Sequence, residues 1–219
     1  MINFNSNDTI CALSTGNASA AIAVVRISGA NAIKIVQKIF SKSLDEVQSH
    51  KAVYGNISGR GIDVLDEVLI TLFRGDKSFT GEETVEIACH GSLFIKNELL
   101  NTLISLGCRM ASSGEFTMRA YMNGKLDLSQ AEAVADLIAS NSIKSHKLAF
   151  DQLRGNYSKN IFALKAKLTD FAALIELELD FSEEDVEFAS RDELNKLLAN
   201  LKTQIKALLD SFAFGNAIK

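Results

Sequence analysis

Three charged residues stand where their neighbours leave room for a role besides that of a solvated surface charge. Arg26 closes the run AAIAVVRI at residues 20–27. Read as a strand, that run puts Ile22, Val24 and Arg26 on one face. A guanidinium at the end of an apolar row either snorkels to the surface or meets a partner. Glu86 lies in TVEIACH at residues 84–90. There Val85, Ile87 and Cys89 share one face of a strand, and Glu86, Ala88 and His90 share the other. Glu86 is then a solvated carboxylate, or an acceptor on a sheet floor for a heterocycle's N–H and NH₂ groups. Lys125 follows Asn123-Gly124, a strong turn signal. It is a surface lysine at a helix boundary, or an ammonium held by a rigid turn and aimed at a carboxylate or phosphate. Glu115 and Arg119, four apart just before that turn, read as an i,i+4 ion pair that holds the junction.

Other chemistries find less support. His90-Gly91 ends its strand and reads as structural, and no nucleophile stands beside an attendant base. Cys89 and His90 point to opposite sides of a strand, which argues against a shared metal site. Cys11, Cys89 and Cys108 sit far apart in apolar surroundings without a CxxC, the pattern of reduced, buried thiols. Neither GxxxxGK[ST] nor GxGxxG occurs, so the usual cradles for nucleotide phosphates are missing from the sequence. The formal charge of −4 argues against a broad nucleic-acid surface. No apolar run approaches the roughly 20 residues of a membrane helix. The start, MINFNSNDTI, has neither the basic nor the apolar region of a secretion signal. The expected location is the cytoplasm.

The elements that must position these residues divide in two. The first half reads as α+β: strands at 20–27, 51–58, 66–73 and 84–90, and helices at 31–40 and 92–106. The second helix turns Phe94, Ile95, Leu99, Leu100, Leu103 and Ile104 to one side, and Gly107 stops it. This predicts a sheet with helices on one face. The second half reads as all helix. Ser129-x-x-Glu132 and Ser190-x-x-Glu193 are capping-box patterns, and Gly155-Asn156 separates one long helix from the next. In the last helix Leu194, Leu198, Leu201, Ile205, Leu208 and Phe212 form a heptad-like seam, read as packing within a bundle. The boundary falls near residues 125–128, giving domains at 1–125 and 126–219. The 219 residues contain no proline, where average usage would supply roughly ten. Turns must rely on Gly, Ser, Asn and Asp instead.

Four segments occur in order: DTICALSTGNASAAIAVVRISG, SFTGEETVEIACHGS, GEFTMRAYMNGKLDLSQAEAVADLI and LELDFSEEDVEF. Together they resemble the N-terminal and first helical parts of the tRNA modification GTPases of the MnmE (TrmE) family. The resemblance spans nearly the whole chain. It implies an α+β domain that dimerises and binds 5-formyltetrahydrofolate or a related tetrahydrofolate, with a fold similar to the folate domain of aminomethyltransferases. It implies a helical domain after it, into which a Ras-like GTPase domain using GTP, magnesium and potassium is inserted. With a flavoprotein partner, MnmG, such proteins install a (carboxymethyl)aminomethyl group at C5 of the wobble uridine of tRNA. Carried over by motif, the folate contacts are Arg26 of VVRISG, Glu86 of GEETVE and Lys125 of NGKLDL.

This sequence departs from the family pattern at several points. Residues 15–19, TGNAS, replace a Pro- and Gly-rich loop, and Ser113 and Ser182 replace prolines. The expectation is a chain that carries no GTPase domain and an incomplete helical domain without its closing helices. Two other classes of function compete: a stand-alone folate-dependent one-carbon transferase and a purely structural dimerisation module. Direct tRNA binding by this chain alone is a weaker alternative, because of its net charge.

Overall fold

The computed structural model describes residues 8–180 and 191–216, and their side chains except at 157, 180 and 207–216. The chain divides into two compact units, Met1–Asp127 and Leu128–Lys219.

The first unit is built on a mixed six-stranded sheet of order β3-β4-β5-β2-β1-β6. Its strands are β1 (Thr9–Leu13), β2 (Ala20–Ser28), β3 (Lys51–Gly59), β4 (Ile62–Phe73), β5 (Thr84–Gly91) and β6 (Cys108–Met110). Neighbours run antiparallel except β1 and β6, which are parallel. Two strands, β1 and β6, were not expected from the sequence. β6 has only three residues, too few to show alternation, and β1 is nearly all buried and so shows no polar face.

Alternation sorts the sheet residues cleanly. Ala23, Val25, Ile27, Val68, Ile70, Leu72, Val85, Ile87 and Cys89 are buried in one core, under helices α1 (Ala32–Gln37) and α2 (Leu93–Ser105). The opposite face carries Ile22, Tyr54 and Leu69, all exposed. The expected helical face of α2 is corrected by the structure. Phe94 and Ile104 are exposed, and the buried stripe is Lys96, Leu99, Thr102 and Leu103. Lys96 can be buried because its ammonium donates to the carbonyls of Asn17 and Ala18, at 2.9 and 3.0 Å. It thereby ties down the exposed loop before β2.

The second unit contains α4 (Leu128–Ala139), α5 (Ile143–Leu153), α6 (Asn156–Asp180) and α7 (Arg191–Asn216). The long helix expected before Gly155 is therefore two helices. The break is set by Ser142, whose hydroxyl accepts from the Ser145 N–H at 3.2 Å while Ser145 Oγ accepts from the Ser142 N–H at 3.1 Å. Ser129 lies inside α4, where its hydroxyl accepts from Gln152 Nε2 at 3.2 Å instead of capping. The start of α4 also meets the end of α5 through Gln130 Nε2 and the Leu153 carbonyl, 2.9 Å apart. Burial here is sparse: Ala133, Ala149, Leu164 and Phe171 are the buried apolar residues among those described. In α7 the half-buried positions are Leu194, Leu197, Leu201 and Gln204, whereas Leu198 and Ile205 are exposed. The seam thus runs one position away from the expected one at alternate steps. Ser182, Ser190 and the side chains of Leu208 and Phe212 fall outside the described residues.

Candidate functional site

Residues of β2 and β5 pair in register, and Arg26 stands directly opposite Glu86. Both project from the open face of the sheet. Arg26 Nε and Nη2 lie 2.8 and 2.7 Å from Glu86 Oε1, and each side chain is 27% exposed. The partner that Arg26 required is therefore Glu86 itself. Glu86 Oε2 takes no hydrogen bond among the described residues. Two aromatic rings, Phe79 and Phe116, flank the guanidinium, each centroid 5.6 Å from its carbon.

The loop between β4 and β5 closes one end of this face. It passes through a 3-10 turn at Gly75–Lys77 and folds back over Ser28 and Thr84. Thr80 is buried, with its hydroxyl 2.7 Å from Ser28 Oγ and 3.2 Å from Thr84 Oγ. Ser28 also donates to Glu82 at 2.7 Å. The ordered path of this loop fixes Phe79 beside Arg26.

Lys125 approaches the same loop from the other side. α3 (Glu115–Met122) ends at Asn123, and Gly124 then takes φ 69, a left-handed conformation that glycine adopts without steric cost. Asn123 Nδ2 donates to the Thr80 carbonyl at 2.7 Å. The Lys125 ammonium donates to the Asp76 carbonyl. At Gly81, an added Cβ would stand 3.2 Å from Lys125 Cγ, so the lysine stem crosses the loop where no side chain is in its way. Arg26 and Glu86 are thus brought into contact. Lys125 reaches the loop that borders them, with two of its three N–H donors uncommitted among the described residues.

Glu115 and Arg119 do form the i,i+4 pair, 3.3 Å apart with both side chains fully buried. They belong to a larger cluster. Arg119 also meets Asp8, and Glu82 at 3.1 Å. Arg109 meets Asp8 at 2.7 Å and clasps both oxygens of Glu115. Arg109 holds the carboxyls of Asp8 and Glu115 below the usual carboxylate range, against the opposing effect of burial. Asp8, Glu82 and Arg109 were missed in the sequence because they come from three segments distant along the chain. Phe79 and Phe116 were missed because nothing in their spacing marks a cation's neighbour.

Other residues have structural roles. His90 Nδ1 lies 2.7 Å from Asp66 Oδ1, and the His90 N–H donates to Asp66 Oδ2 at 2.8 Å. Cys11, Cys89 and Cys108 are buried free thiols. Among the described residues there is no group of acidic, histidine or cysteine side chains that could hold a metal ion. No described helix is long and apolar enough to cross a membrane.

Residues 9–125 match the family model for the GTP-binding protein TrmE N-terminus, and residues 128–219 match the model for the MnmE helical domain. The chain belongs to the MnmE (TrmE) family. It is 51% identical over 217 residues to the tRNA modification GTPase MnmE of Flavobacterium psychrophilum, covering 97% of this chain and 47% of that protein. It is 52% identical over 216 residues to the MnmE of Cytophaga hutchinsonii, covering 98% of this chain and 47% of that protein. The chain spans about half the length of the curated relatives it matches. The two MnmE family matches meet between residues 125 and 128, and the two compact units meet between 127 and 128.

Proposed function

We propose that this chain is the N-terminal, folate-binding and dimerising part of a tRNA-modifying GTPase, divided into an α+β domain at 1–125 and a helical domain at 126–219. The observation that carries the folate reading is the Arg26–Glu86 pair on an open sheet face, beside a loop that Lys125 contacts at Asp76 and Gly81. The residues fit such a ligand. A pterin presents adjacent N–H donors, and Glu86 Oε2, unpaired among the described residues, can accept from them. The folate tail presents carboxylates, and the Lys125 ammonium has two donors uncommitted among the described residues. Arg26 holds Glu86 in place.

In this reading the bound 5-formyltetrahydrofolate-type ligand serves wobble-uridine modification at C5, carried out with a flavoprotein partner of the MnmG type on tRNA in the cytoplasm. GTP hydrolysis, with magnesium and potassium, belongs to a domain of the full-length relatives outside the matched half. The sequence of this chain contains no phosphate-binding loop of the usual kind.

The test is a calorimetric titration with 5-formyltetrahydrofolate of the parent chain, Glu86→Ala and Lys125→Ala. Saturable binding, weakened by both substitutions, is the expected result. A folded, dimeric parent chain that binds no folate would support the structural dimerisation module instead. Turnover of a one-carbon donor by the chain alone would support the transferase.

A further inference from the structure

Phe79 is an apolar ring that the fold holds in solvent. It is 39% exposed, while Ser78 and Thr80 on either side of it are buried at 5% and 0%. Both neighbours are anchored. Ser78 Oγ donates to the Gly75 carbonyl at 2.9 Å, and Thr80 is fixed by Ser28, Thr84 and Asn123. The ring's exposure therefore comes from a pinned backbone on both sides. Leaving such a ring unburied forgoes the hydrophobic gain that an inward orientation would give.

Its surroundings indicate a use. On one side lies Arg26, with Glu86 behind it. Two residues on, at Gly81, the same loop touches the stem of Lys125. The next row of the sheet face, Val24 and Ala88, is paired in register and half-buried, a low apolar floor beyond the ion pair. Phe79 thus stands beside the Arg26–Glu86 pair and two loop residues from the Lys125 stem, and both Glu86 Oε2 and two of the Lys125 ammonium donors lack a partner among the described residues.

We infer that Phe79 is the specificity-determining residue of this site, stacking on a flat heteroaromatic ring whose N–H edge is held by Glu86. The inference rests on the folate reading above and refines it. The ring half of the ligand is selected by Phe79 and Glu86 together, and the charged tail by Lys125. A stacked ring loses face-to-face contact when the phenyl group is removed, and retains it when a hydroxyl is added.

The experiment compares the parent chain, Phe79→Ala and Phe79→Tyr with three probes. These are 5-formyltetrahydrofolate, a pterin without a tail, and p-aminobenzoyl-glutamate, which is a tail without the bicyclic ring. Thermal unfolding and size-exclusion chromatography accompany each titration. Phe79→Ala should weaken binding of 5-formyltetrahydrofolate and of the pterin by about tenfold or more, as loss of one stacked ring does. It should leave p-aminobenzoyl-glutamate unchanged, and Phe79→Tyr should bind like the parent. Equal affinity of Phe79→Ala and parent for 5-formyltetrahydrofolate would overturn the inference and leave the folate reading standing. So would equal weakening of all three probes, or a change confined to oligomeric state, which would assign the ring to contact with a second copy. A parent chain that binds none of the probes would overturn both.

Discussion

Two of the arginine–glutamate pairs in the α+β unit, Arg119–Glu115 and Arg26–Glu86, differ in what surrounds them. Arg119 and Glu115 are fully buried and share their charges with Asp8, Glu82 and Arg109. Arg26 and Glu86 are each 27% exposed, Arg26 lies against two aromatic rings, and one carboxylate oxygen of Glu86 has no partner among the described residues. Burial with many partners locks the first pair into the junction of α3, β6 and the β4–β5 loop. Partial exposure, with one carboxylate oxygen unpaired among the described residues, suits the second pair to the ligand role proposed above. Residue type alone did not separate the two roles; the number of remaining partners does.

The largest expected effect breaks the first pair. Glu115→Ala should destabilise the chain by about 3–5 kcal/mol, because it leaves Arg119 buried beside a lost counter-charge. Glu86→Ala should cost no more than about 1 kcal/mol, since its pair is open to solvent. Urea unfolding of both variants measures the contrast, and equal losses would erase the distinction. Lys125→Ala should leave stability nearly unchanged and weaken 5-formyltetrahydrofolate about tenfold, the scale of one charge-assisted hydrogen bond.

Acid sharpens the same contrast. Asp8 and Glu115 have their carboxyls held below the usual range by Arg109. A carboxylate lowered in the folded state contributes stability that is full above its unfolded pKa. That contribution is lost as pH falls through the folded value. Stability should therefore fall below about pH 4, and Glu115→Gln should flatten that fall while lowering stability at neutral pH. A parent chain whose unfolding midpoint is flat from pH 6 to pH 3 would contradict the buried cluster.

Much of this was legible in the sequence, and the reasons are local. Strand period two placed Glu86, Ala88 and His90 on one face and Val85, Ile87 and Cys89 on the other, as the structure shows. Spacing of four found the Glu115–Arg119 pair. Asn123-Gly124 marked the turn before Lys125. Pairing of Arg26 with Glu86 was not legible, because register across the sixty residues between them is a property of the assembled sheet. The position of Lys96 could have been read: 96, 99 and 103 form a three-four spacing on α2. Its charge concealed it, since a lysine rarely occupies a buried stripe. The break at Ser142 was hidden by continuous helix formers on both sides.

The smallest effect concerns the far face of the strand that carries Glu86. Cys89 points into the core three residues along β5 from Glu86, and burial, then the charge of Asp66, pushes its thiol up to about 11. A thiol with that pKa is almost wholly protonated at pH 8, and the thiolate is the species that alkylating reagents attack. Cys89 should stay unmodified by iodoacetamide at pH 8 in the folded chain and react once the chain is unfolded in urea. Asp66→Asn removes the second cause but not the first, and should lower the thiol's pKa only slightly, with burial still preventing reaction. Mass spectrometry of the tryptic peptide spanning Cys89 reads the outcome. Rapid modification in the folded state would mean that this part of the sheet opens readily, and the floor beneath Glu86 would then be too loose to preorganise a carboxylate for a ligand.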